Sequence, residues 1–195
     1  MEYNQIICGD CLEVMKGIPD KSVDLVLTSP PYLDREVKGD YYGFLDVFIK
    51  ECNRISDTLL MFNSSRRIVE ICKRYNNISA ILIWDKVFTL PAFKYEPIFV
   101  ITKNKIWGKG RIYRDCLRYM IPRNKKHINE NPVELYKELL KFFPNAKIVL
   151  DPFLGSGTTA VACKELGRRY IGIEISPEYC EIARNRVKAI PELLF

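Results

Sequence analysis

Short apolar runs alternate along the chain with longer stretches of helical periodicity. The apolar runs have the length and near-continuous hydrophobicity of strands that are covered on both faces. They are "QIIC", "SVDLVLT", "TLLMF", "SAILIW", "YEPIFVIT", "KIVL" and "RYIGIE". Five stretches carry apolar residues at helical spacing, several after a Ser, Thr or Asn that suits an N-cap. They are "GFLDVFIKECNRI", "SRRIVEICKRY", "NPVELYKELLKFF", "TTAVACKELG" and "SPEYCEIARNRVKAI". This alternation predicts an α/β fold with a mostly parallel, seven-stranded sheet and helices on both faces.

One pair of predicted strands leaves no room for a helix between them. The stretch "ILIWDKVFTLPAFKYEPIFVIT" runs from one apolar segment into the next through a short connection. Parallel neighbours need a crossover of a dozen residues or more, whereas antiparallel neighbours need only a turn. We therefore expect an antiparallel hairpin at the end of the parallel sheet.

The size and composition of the chain predict a single domain over residues 1–195. A length of 195 residues, 48% of them hydrophobic, suffices for one core but not comfortably for two. The seven cysteines are odd in number and several lie in apolar runs, which favours reduced thiols in the cytoplasm. Cys8 and Cys11 form a C-x-x-C without a second pair, so packing is favoured over a metal site. No apolar run reaches membrane-spanning length, so we expect a cytoplasmic protein without a membrane partner.

The positive charge of the chain is concentrated in residues 103–126. The whole chain carries 30 Lys and Arg against 24 Asp and Glu, a formal net charge of +6. In this segment a single acid, Asp115, faces nine basic residues, with Trp107, Tyr113 and Tyr119 interleaved. The basic residues are Lys103, Lys105, Lys109, Arg111, Arg114, Arg118, Arg123, Lys125 and Lys126. Cations that meet phosphates and rings that stack on bases predict a nucleic-acid contact, and a solvated basic loop is the alternative.

The first motif that suggests chemistry is "TSPPY" at residues 28–32, where an apolar run stops abruptly. Two successive prolines fix φ and remove two backbone donors, so they end the strand and hold the preceding carbonyl in place. A simple strand terminator with an incidental Ser29 and Tyr32 is the structural alternative.

The second motif is "DPFLGSGTT" at residues 151–159, followed by a strand that ends at Glu174. Glycines let a ligand approach the backbone, and free N–H groups at a helix start favour an anionic group. A carboxylate at the end of the next strand suits the hydroxyls of a ribose, so the motif predicts a nucleoside-containing cofactor. Gly155, Gly157 and Ala160 also satisfy the dinucleotide fingerprint, which keeps an NAD(P)-dependent oxidoreductase open. Only one strand and one helix follow, however, and the lysine of a P-loop is missing.

Together, "TSPPY" and the downstream "DPFLGSGTT" resemble the motifs of S-adenosylmethionine-dependent exocyclic-amino DNA methyltransferases. Their order resembles the circularly permuted, β-type arrangement, in which the catalytic motif precedes the cofactor motif. The likeness runs from "IICGDCLEVMKGIPDKSVDLVLTSPPY" to "GRRYIGIEISPEY", nearly the whole chain. It implies a Rossmann-like methyltransferase fold, S-adenosylmethionine as cofactor and double-stranded DNA as substrate.

The resemblance also assigns roles to individual positions. It implies that Ser29 and the carbonyl of Pro30 accept hydrogen bonds from the target amino group, that Pro31 stiffens the loop, and that Tyr32 stacks on a flipped base. It implies cofactor contacts for Asp10, near the adenine, and for Glu174, at the ribose. It places the methionine moiety against Asp151, Phe153, Gly155, Ser156, Gly157, Thr158 and Thr159. The stretch "KHINENPVELYKELL" resembles the segment that helps to cover methionine, and its His127 has no assigned catalytic role.

The target base and the partners are less sharply defined by the sequence. In this family a Ser before Pro-Pro-Tyr more often accompanies N4-cytosine methylation, so cytosine is preferred over N6 of adenine. The segment between the hairpin and "HINENP" is short, which favours a short palindromic site, a small accessory domain formed by the loop, or help from a partner subunit such as a homodimer mate. A cognate restriction endonuclease is left open. An RNA or other nucleobase methyltransferase is the second hypothesis, and an oxidoreductase is the third.

Overall fold

The computed structural model describes residues 2–31, 40–87, 95–103, 115–123 and 130–191. These residues form eight strands in one sheet. The strands are β1 Gln5–Cys8, β2 Leu25–Thr28, β3 Thr58–Phe62, β4 Ile78–Asp85, β5 Tyr95–Thr102, β6 Cys116–Arg118, β7 Ile148–Asp151 and β8 Arg169–Glu174. The helices are α1 Cys11–Lys16, α2 Tyr41–Ile55, α3 Ile68–Arg74, α4 Val133–Lys141, α5 Thr158–Glu165 and α6 Pro177–Lys188, with a 3-10 turn at Ser65–Arg67.

The sheet is mixed and mostly parallel, as the hydrophobic pattern predicts. Its strand order is β1-β8-β7-β2-β3-β5-β4-β6. Strand β5 runs antiparallel to both of its neighbours, β3 and β4, whereas the other pairings are parallel. The predicted β4–β5 hairpin is therefore confirmed, and β5 inserts between β3 and β4.

Two elements differ from the sequence prediction. An eighth strand, β6, pairs with β4, so the sheet has eight strands rather than seven. Strand β6 is the outermost strand, and the β4–β5 hairpin therefore does not end the sheet. Only Leu117 of this three-residue strand is buried, between the exposed Cys116 and Arg118, and three residues are too few for a recognisable pattern. Helix α1 is also additional: its six residues are capped by Asp10, which accepts hydrogen bonds from the N–H groups of Leu12 and Glu13.

Helices cover both faces of the sheet, because successive strand residues point to opposite sides. Leu25 and Leu27 of β2 join a core that includes residues of α4, α5 and α6. Val26, between them, joins a second core that includes residues of α1, α2 and α3. The predicted burial is thereby confirmed for β2, and β3 and β7 are likewise buried along their whole length. Strands β1 and β4 are instead mostly half-buried.

The cysteines, the possible metal ligands and the helices can be compared with the expectations from composition. All seven cysteines lie in the described ranges and are free thiols. Burial raises the pKa of Cys11 to about 12, which makes this thiol of the C-x-x-C a packing group at neutral pH. The described residues include no cluster of three or more His, Cys, Asp or Glu that could hold a metal ion. None of the described helices combines the length and the hydrophobicity that crossing a membrane requires.

The parallel strands bring the two motifs to the same end of the sheet, where the parallel strands have their carboxyl ends. This end is called an edge of the sheet below, and the amino ends of the parallel strands form the opposite edge. Strands β2 and β7 are neighbours although 123 residues separate Thr28 from Asp151. The carboxyl ends of parallel strands form the ligand-binding edge of α/β sheets. Ser29 follows β2 at this edge, and Asp151 and Glu174 end β7 and β8.

Candidate active site

Asp151 is the most heavily bonded polar side chain at this edge. Its Oδ1 accepts hydrogen bonds from the Thr28 hydroxyl at 2.6 Å and from the Phe153 N–H at 3.0 Å. Its Oδ2 accepts a hydrogen bond from the Thr159 hydroxyl. Burial raises the pKa of Asp151 from 3.8 to about 6, although these donors act in the opposite direction. Both oxygens of this carboxylate thus accept hydrogen bonds from groups of the protein.

The turn after Asp151 requires its glycines. Gly155 and Gly157 have φ angles of 53° and 96°, in the left-handed region that L-residues with a side chain rarely adopt. At Gly157 an added Cβ would lie 2.8 Å from the Cβ of Ala183 on α6. Gly157 therefore permits close packing of the turn on α6, in addition to any part in ligand binding.

Glu174 closes the turn from the other side. Its Oε2 accepts a hydrogen bond from the Gly155 N–H at 2.8 Å, and its Oε1 accepts one from the Ser176 N–H at 2.8 Å. The side chain is only half-buried, so each oxygen keeps lone pairs that can accept from a ligand. Asp10, exposed at the end of the neighbouring β1, lies at the same edge, because the Gly9 N–H donates to the Glu174 carbonyl at 3.0 Å.

An exposed apolar residue follows this carboxylate directly. Ile175 is 69% exposed, the highest exposure among the large hydrophobic residues that the structure describes. The sequence analysis missed it, because an isoleucine after an apolar strand gives no chemical signal. Its position beside Glu174 offers an apolar surface to a flat ring.

The first turn of α5 presents backbone donors to the same region. Gly157 is its N-cap and has no side chain, and no side chain in the described part of the chain caps the first N–H groups of this helix. Thr158 and Thr159 are buried and their hydroxyls point into the protein, that of Thr158 to the Asn131 carbonyl at 3.3 Å. The turn can therefore offer a ligand its backbone N–H groups rather than these side chains.

A partly buried ion pair fastens the turn to the segment before α4. Arg186 of α6 donates to the carbonyl and the hydroxyl of Ser156 at 2.9 and 2.8 Å. The same guanidinium lies 2.9 Å from Glu130, and the two side chains are 20% and 6% exposed. Nothing in the sequence distinguishes Arg186 from the other basic residues of α6. Glu130 and Asn131, in the described part of the "HINENP" stretch, thus both contact the region of the turn.

Phe153 belongs to an aromatic group beneath the turn. Its ring lies 6.1 Å from that of Phe44 and 5.2 Å from that of Phe48, both on α2. Phe153 itself is half-buried. This packing joins the turn to the helix that follows the catalytic motif.

The "TSPPY" motif lies beside this assembly. Ser29 and Pro31 are half-buried and Pro30 is buried, immediately after Thr28. Within the described part of the chain, the Ser29 hydroxyl makes no side-chain hydrogen bond, so its acceptor capacity is available to a substrate. Tyr32 lies outside the described residues.

Two of the nine basic residues of 103–126, Lys103 and Arg118, lie at opposite edges of the sheet. Lys103 follows β5 at the opposite edge, where its N–H donates to the Asp57 carbonyl at 3.2 Å. Arg118 ends β6 at the edge of Ser29, and its side chain, 71% exposed, pairs with Asp85 at 2.9 Å. Arg123 is exposed. The remaining six, Lys105, Lys109, Arg111, Arg114, Lys125 and Lys126, lie outside the described residues, as does His127.

Comparison with known proteins identifies relatives along nearly the full chain. Residues 104–185 match a family model described as DNA methylase. The YubD protein of Escherichia coli K12, named as a methylase, is 32% identical over 96% of this chain and 91% of its own length. The E. coli DNA adenine methyltransferase YhdJ is 26% identical over 95% of this chain and 83% of its own length.

Solved structures with the same architecture include a complex with S-adenosylmethionine. That of M1.HpyAVI with S-adenosylmethionine has a TM-score of 0.71 and 27% identity, covering 93% of this chain and 98% of the other. The cytosine-N4-specific PvuII DNA methyltransferase has a TM-score of 0.77 at 18% identity, covering 95% and 86%. At that identity, the likeness to the PvuII enzyme concerns the fold.

Proposed function

This chain belongs to the DNA methylase family, and from that premise we propose that it methylates the N4 amino group of cytosine in double-stranded DNA. Members of the family use S-adenosylmethionine. One observation carries the proposal: Ser29 adjoins Thr28, whose hydroxyl is bonded to Asp151 of the glycine turn. A hydroxyl acceptor for an amino group and the turn proposed to hold the methyl donor therefore lie side by side.

The residues of the turn fit S-adenosylmethionine. We assign the ribose hydroxyls to the remaining lone pairs of Glu174, the methionine carboxylate to the N–H groups at the start of α5, and the adenine to the apolar surface of Ile175. Asp10 at the neighbouring strand end provides an acceptor for the adenine amino group. When bound, the cofactor supplies an activated methyl group on a sulfonium.

The chain itself supplies position and hydrogen bonding. Ser29 and the carbonyl of Pro30 accept hydrogen bonds from the amino group of the target base, which turns the nitrogen lone pair out of conjugation and toward the methyl group. Pro30 and Pro31 restrict the backbone, so the acceptors are held in place before the substrate arrives. Tyr32 stacks on the extruded base. As the N–CH3 bond forms, the S–CH3 bond of the sulfonium breaks to leave a thioether, and the methylated nitrogen then releases one proton to solvent, so no dedicated general base is required.

The choice of cytosine rests on Ser29, since the hydroxyl is a compact acceptor typical of the N4-cytosine subclass. N6 of adenine is the second candidate, and the likeness to the adenine methyltransferase YhdJ favours it. Strand β7, which leads into the glycine turn, lies between β8 and the upstream strand β2, which argues against a dinucleotide domain opened by this turn.

Mass spectrometry of nucleosides from DNA methylated by the purified protein tests the base. The expected product is 4-methylcytosine. Exclusive 6-methyladenine would overturn the base while leaving the methylation of DNA intact. Methylation of RNA but not of duplex DNA would overturn the substrate class.

Calorimetric titration of S-adenosylmethionine tests the cofactor site. Glu174→Ala should weaken binding by roughly tenfold or more, because two ribose hydroxyls lose a charged acceptor. Glu178→Ala, on the first turn of α6, removes a carboxylate from the neighbouring helix and should leave binding unchanged. Equal affinities for the two variants would contradict the assignment of Glu174.

We further propose that residues 1–195 act as one domain, with 103–126 as its target-recognition segment. Strand β6 attaches this segment to the sheet at the edge of Ser29. Because the segment is short, a homodimer would enlarge the recognition surface. Light scattering with and without a DNA duplex measures this, and a monomer in both conditions would contradict the homodimer.

A further inference from the structure

Thr28 is a residue that the resemblance left without a role. Its side chain is completely buried at the end of β2, one residue before Ser29. A hydroxyl in such a place needs a hydrogen-bond partner, and here it donates to Asp151 at 2.6 Å. A valine would have nearly the same shape without that bond.

The partner of Thr28 is shared with the glycine turn. Asp151 also accepts hydrogen bonds from the Phe153 N–H, in the turn, and from the Thr159 hydroxyl, in the first turn of α5. One carboxylate therefore joins the end of β2, the turn after β7 and the start of α5. The backbone pairing Val26 with Leu150 fixes β2 beside β7, but it does not extend to Ser29.

We propose that Thr28 is a positioning residue, which through Asp151 holds the Ser29–Pro30 peptide at a fixed distance from the cofactor turn. This inference rests on the proposed function of that site. Asp151 then acts as a link between the motifs rather than as a direct cofactor ligand. Methyl transfer depends on such alignment, because the acceptors on the loop and the methyl group must meet in one geometry.

The charge on Asp151 gives the link a recognisable pH dependence. Burial raises the pKa of Asp151 to about 6, and the hydrogen bond from Thr28 opposes that rise. The titratable groups facing this carboxyl are Glu174 on β8, Tyr136 on α4 and Cys163 on α5. The ionised carboxylate accepts the three bonds more strongly than the protonated acid does. Methyl transfer should therefore decline below pH about 6, and loss of the Thr28 hydroxyl should move this decline to higher pH.

The test compares Thr28→Val with Thr28→Ser, which restores the hydroxyl. Thr58→Val is the matched control, since the buried Thr58 hydroxyl bonds that of Thr102 at 2.9 Å at the opposite edge of the sheet. Calorimetry gives the affinity for S-adenosylmethionine, and single-turnover transfer to duplex DNA gives the rate as a function of pH.

Thr28→Val should bind the cofactor within about threefold of wild type but transfer the methyl group roughly 10- to 100-fold more slowly. Its acid limb, which is the decline of the transfer rate at low pH, should lie at higher pH than that of wild type. Thr28→Ser and Thr58→Val should keep the wild-type rate and limb. A wild-type rate and limb in Thr28→Val would overturn the positioning role.

Asp151→Asn provides a second measurement that does not depend on Thr28→Val folding well. It removes the titrating group, so the acid limb should disappear. A limb that persists in this variant belongs to another group and would overturn the link. Absence of methyl transfer by wild type to any duplex would instead contradict the proposed function itself.

Discussion

The glycine turn and the "TSPPY" loop at residues 28–32 use polar residues in opposite ways. In the turn, the side chains of Asp151, Ser156, Thr158 and Thr159 are buried and hydrogen-bonded within the protein. In the loop, the hydroxyl of Ser29 is half-buried and makes no side-chain hydrogen bond to the described residues. Polar side chains in the turn build a rigid frame that leaves backbone N–H groups for a ligand. The loop keeps a side chain for the substrate.

The largest expected effect comes from the loop. Ser29→Ala should lower the single-turnover rate roughly 100-fold or more, as removal of one preorganised transition-state contact does in other enzymes. Stability should change by less than about 0.5 kcal/mol, because no described partner is left unpaired. Rates and urea unfolding measure the two quantities.

A matched variant for this prediction lies just before the same strand. The Ser22 hydroxyl donates to the Pro19 carbonyl at 2.7 Å, so Ser22→Ala should retain full activity. A wild-type rate for Ser29→Ala would show that the loop resembles the turn and uses its hydroxyl only structurally.

A substitution that affects the glycine turn should instead chiefly lower the free energy of unfolding. Arg186→Met removes the guanidinium that pairs with Glu130 and donates to Ser156, which should cost about 3 kcal/mol of unfolding free energy. Arg184→Met is the control on the same helix, since the more exposed Arg184 donates to the Ile6 carbonyl at the surface. Equal midpoints for the two variants in urea would deny the ion pair its role in holding the turn.

The pH dependence of stability sharpens the comparison further. Asp151 binds its proton more tightly in the folded state, with a pKa of about 6 against 3.8, so its contribution to stability is fully present below pH about 4 and falls as the pH rises through 6. The shift corresponds to up to about 3 kcal/mol. Asp151→Asn should therefore gain stability relative to wild type between these pH values, as measured by denaturant unfolding. A difference that is constant with pH would contradict the burial of this charge.

The smallest expected effect is on the salt dependence of DNA affinity, and it concerns basic residues outside the glycine turn and the "TSPPY" loop. Arg118→Gln, at the edge of Ser29, should reduce the slope of log affinity for DNA against log salt by about 1. Lys103→Gln, at the opposite edge, should leave the slope unchanged. The same slope for both variants as for wild type would show that Arg118 faces solvent, whereas a reduced slope only for Lys103→Gln would place DNA at the other edge.

Prediction from sequence succeeded where the pattern was long. The seven apolar runs became strands and the five periodic stretches became helices, because each contains several apolar residues at the spacing of its element. It missed β6 and α1, which have three and six residues. Lys103 shows a different limit: its charge was evident, but the antiparallel direction of β5 places it away from Ser29.

The sequence by itself determined the fold class and the two motifs, since hydrophobic period, proline pairs and glycine turns act through local geometry. Only the tertiary structure decided which side chains remain available. Asp151 and Ser29 are both polar residues at strand ends, yet Thr28, Thr159 and the Phe153 N–H occupy the carboxylate, whereas no described side chain bonds the hydroxyl. The partner residue Thr28 is 123 positions away in the chain. Hydrogen bonds over such separations depend on the pairing of β2 with β7, which no local pattern in the sequence specifies.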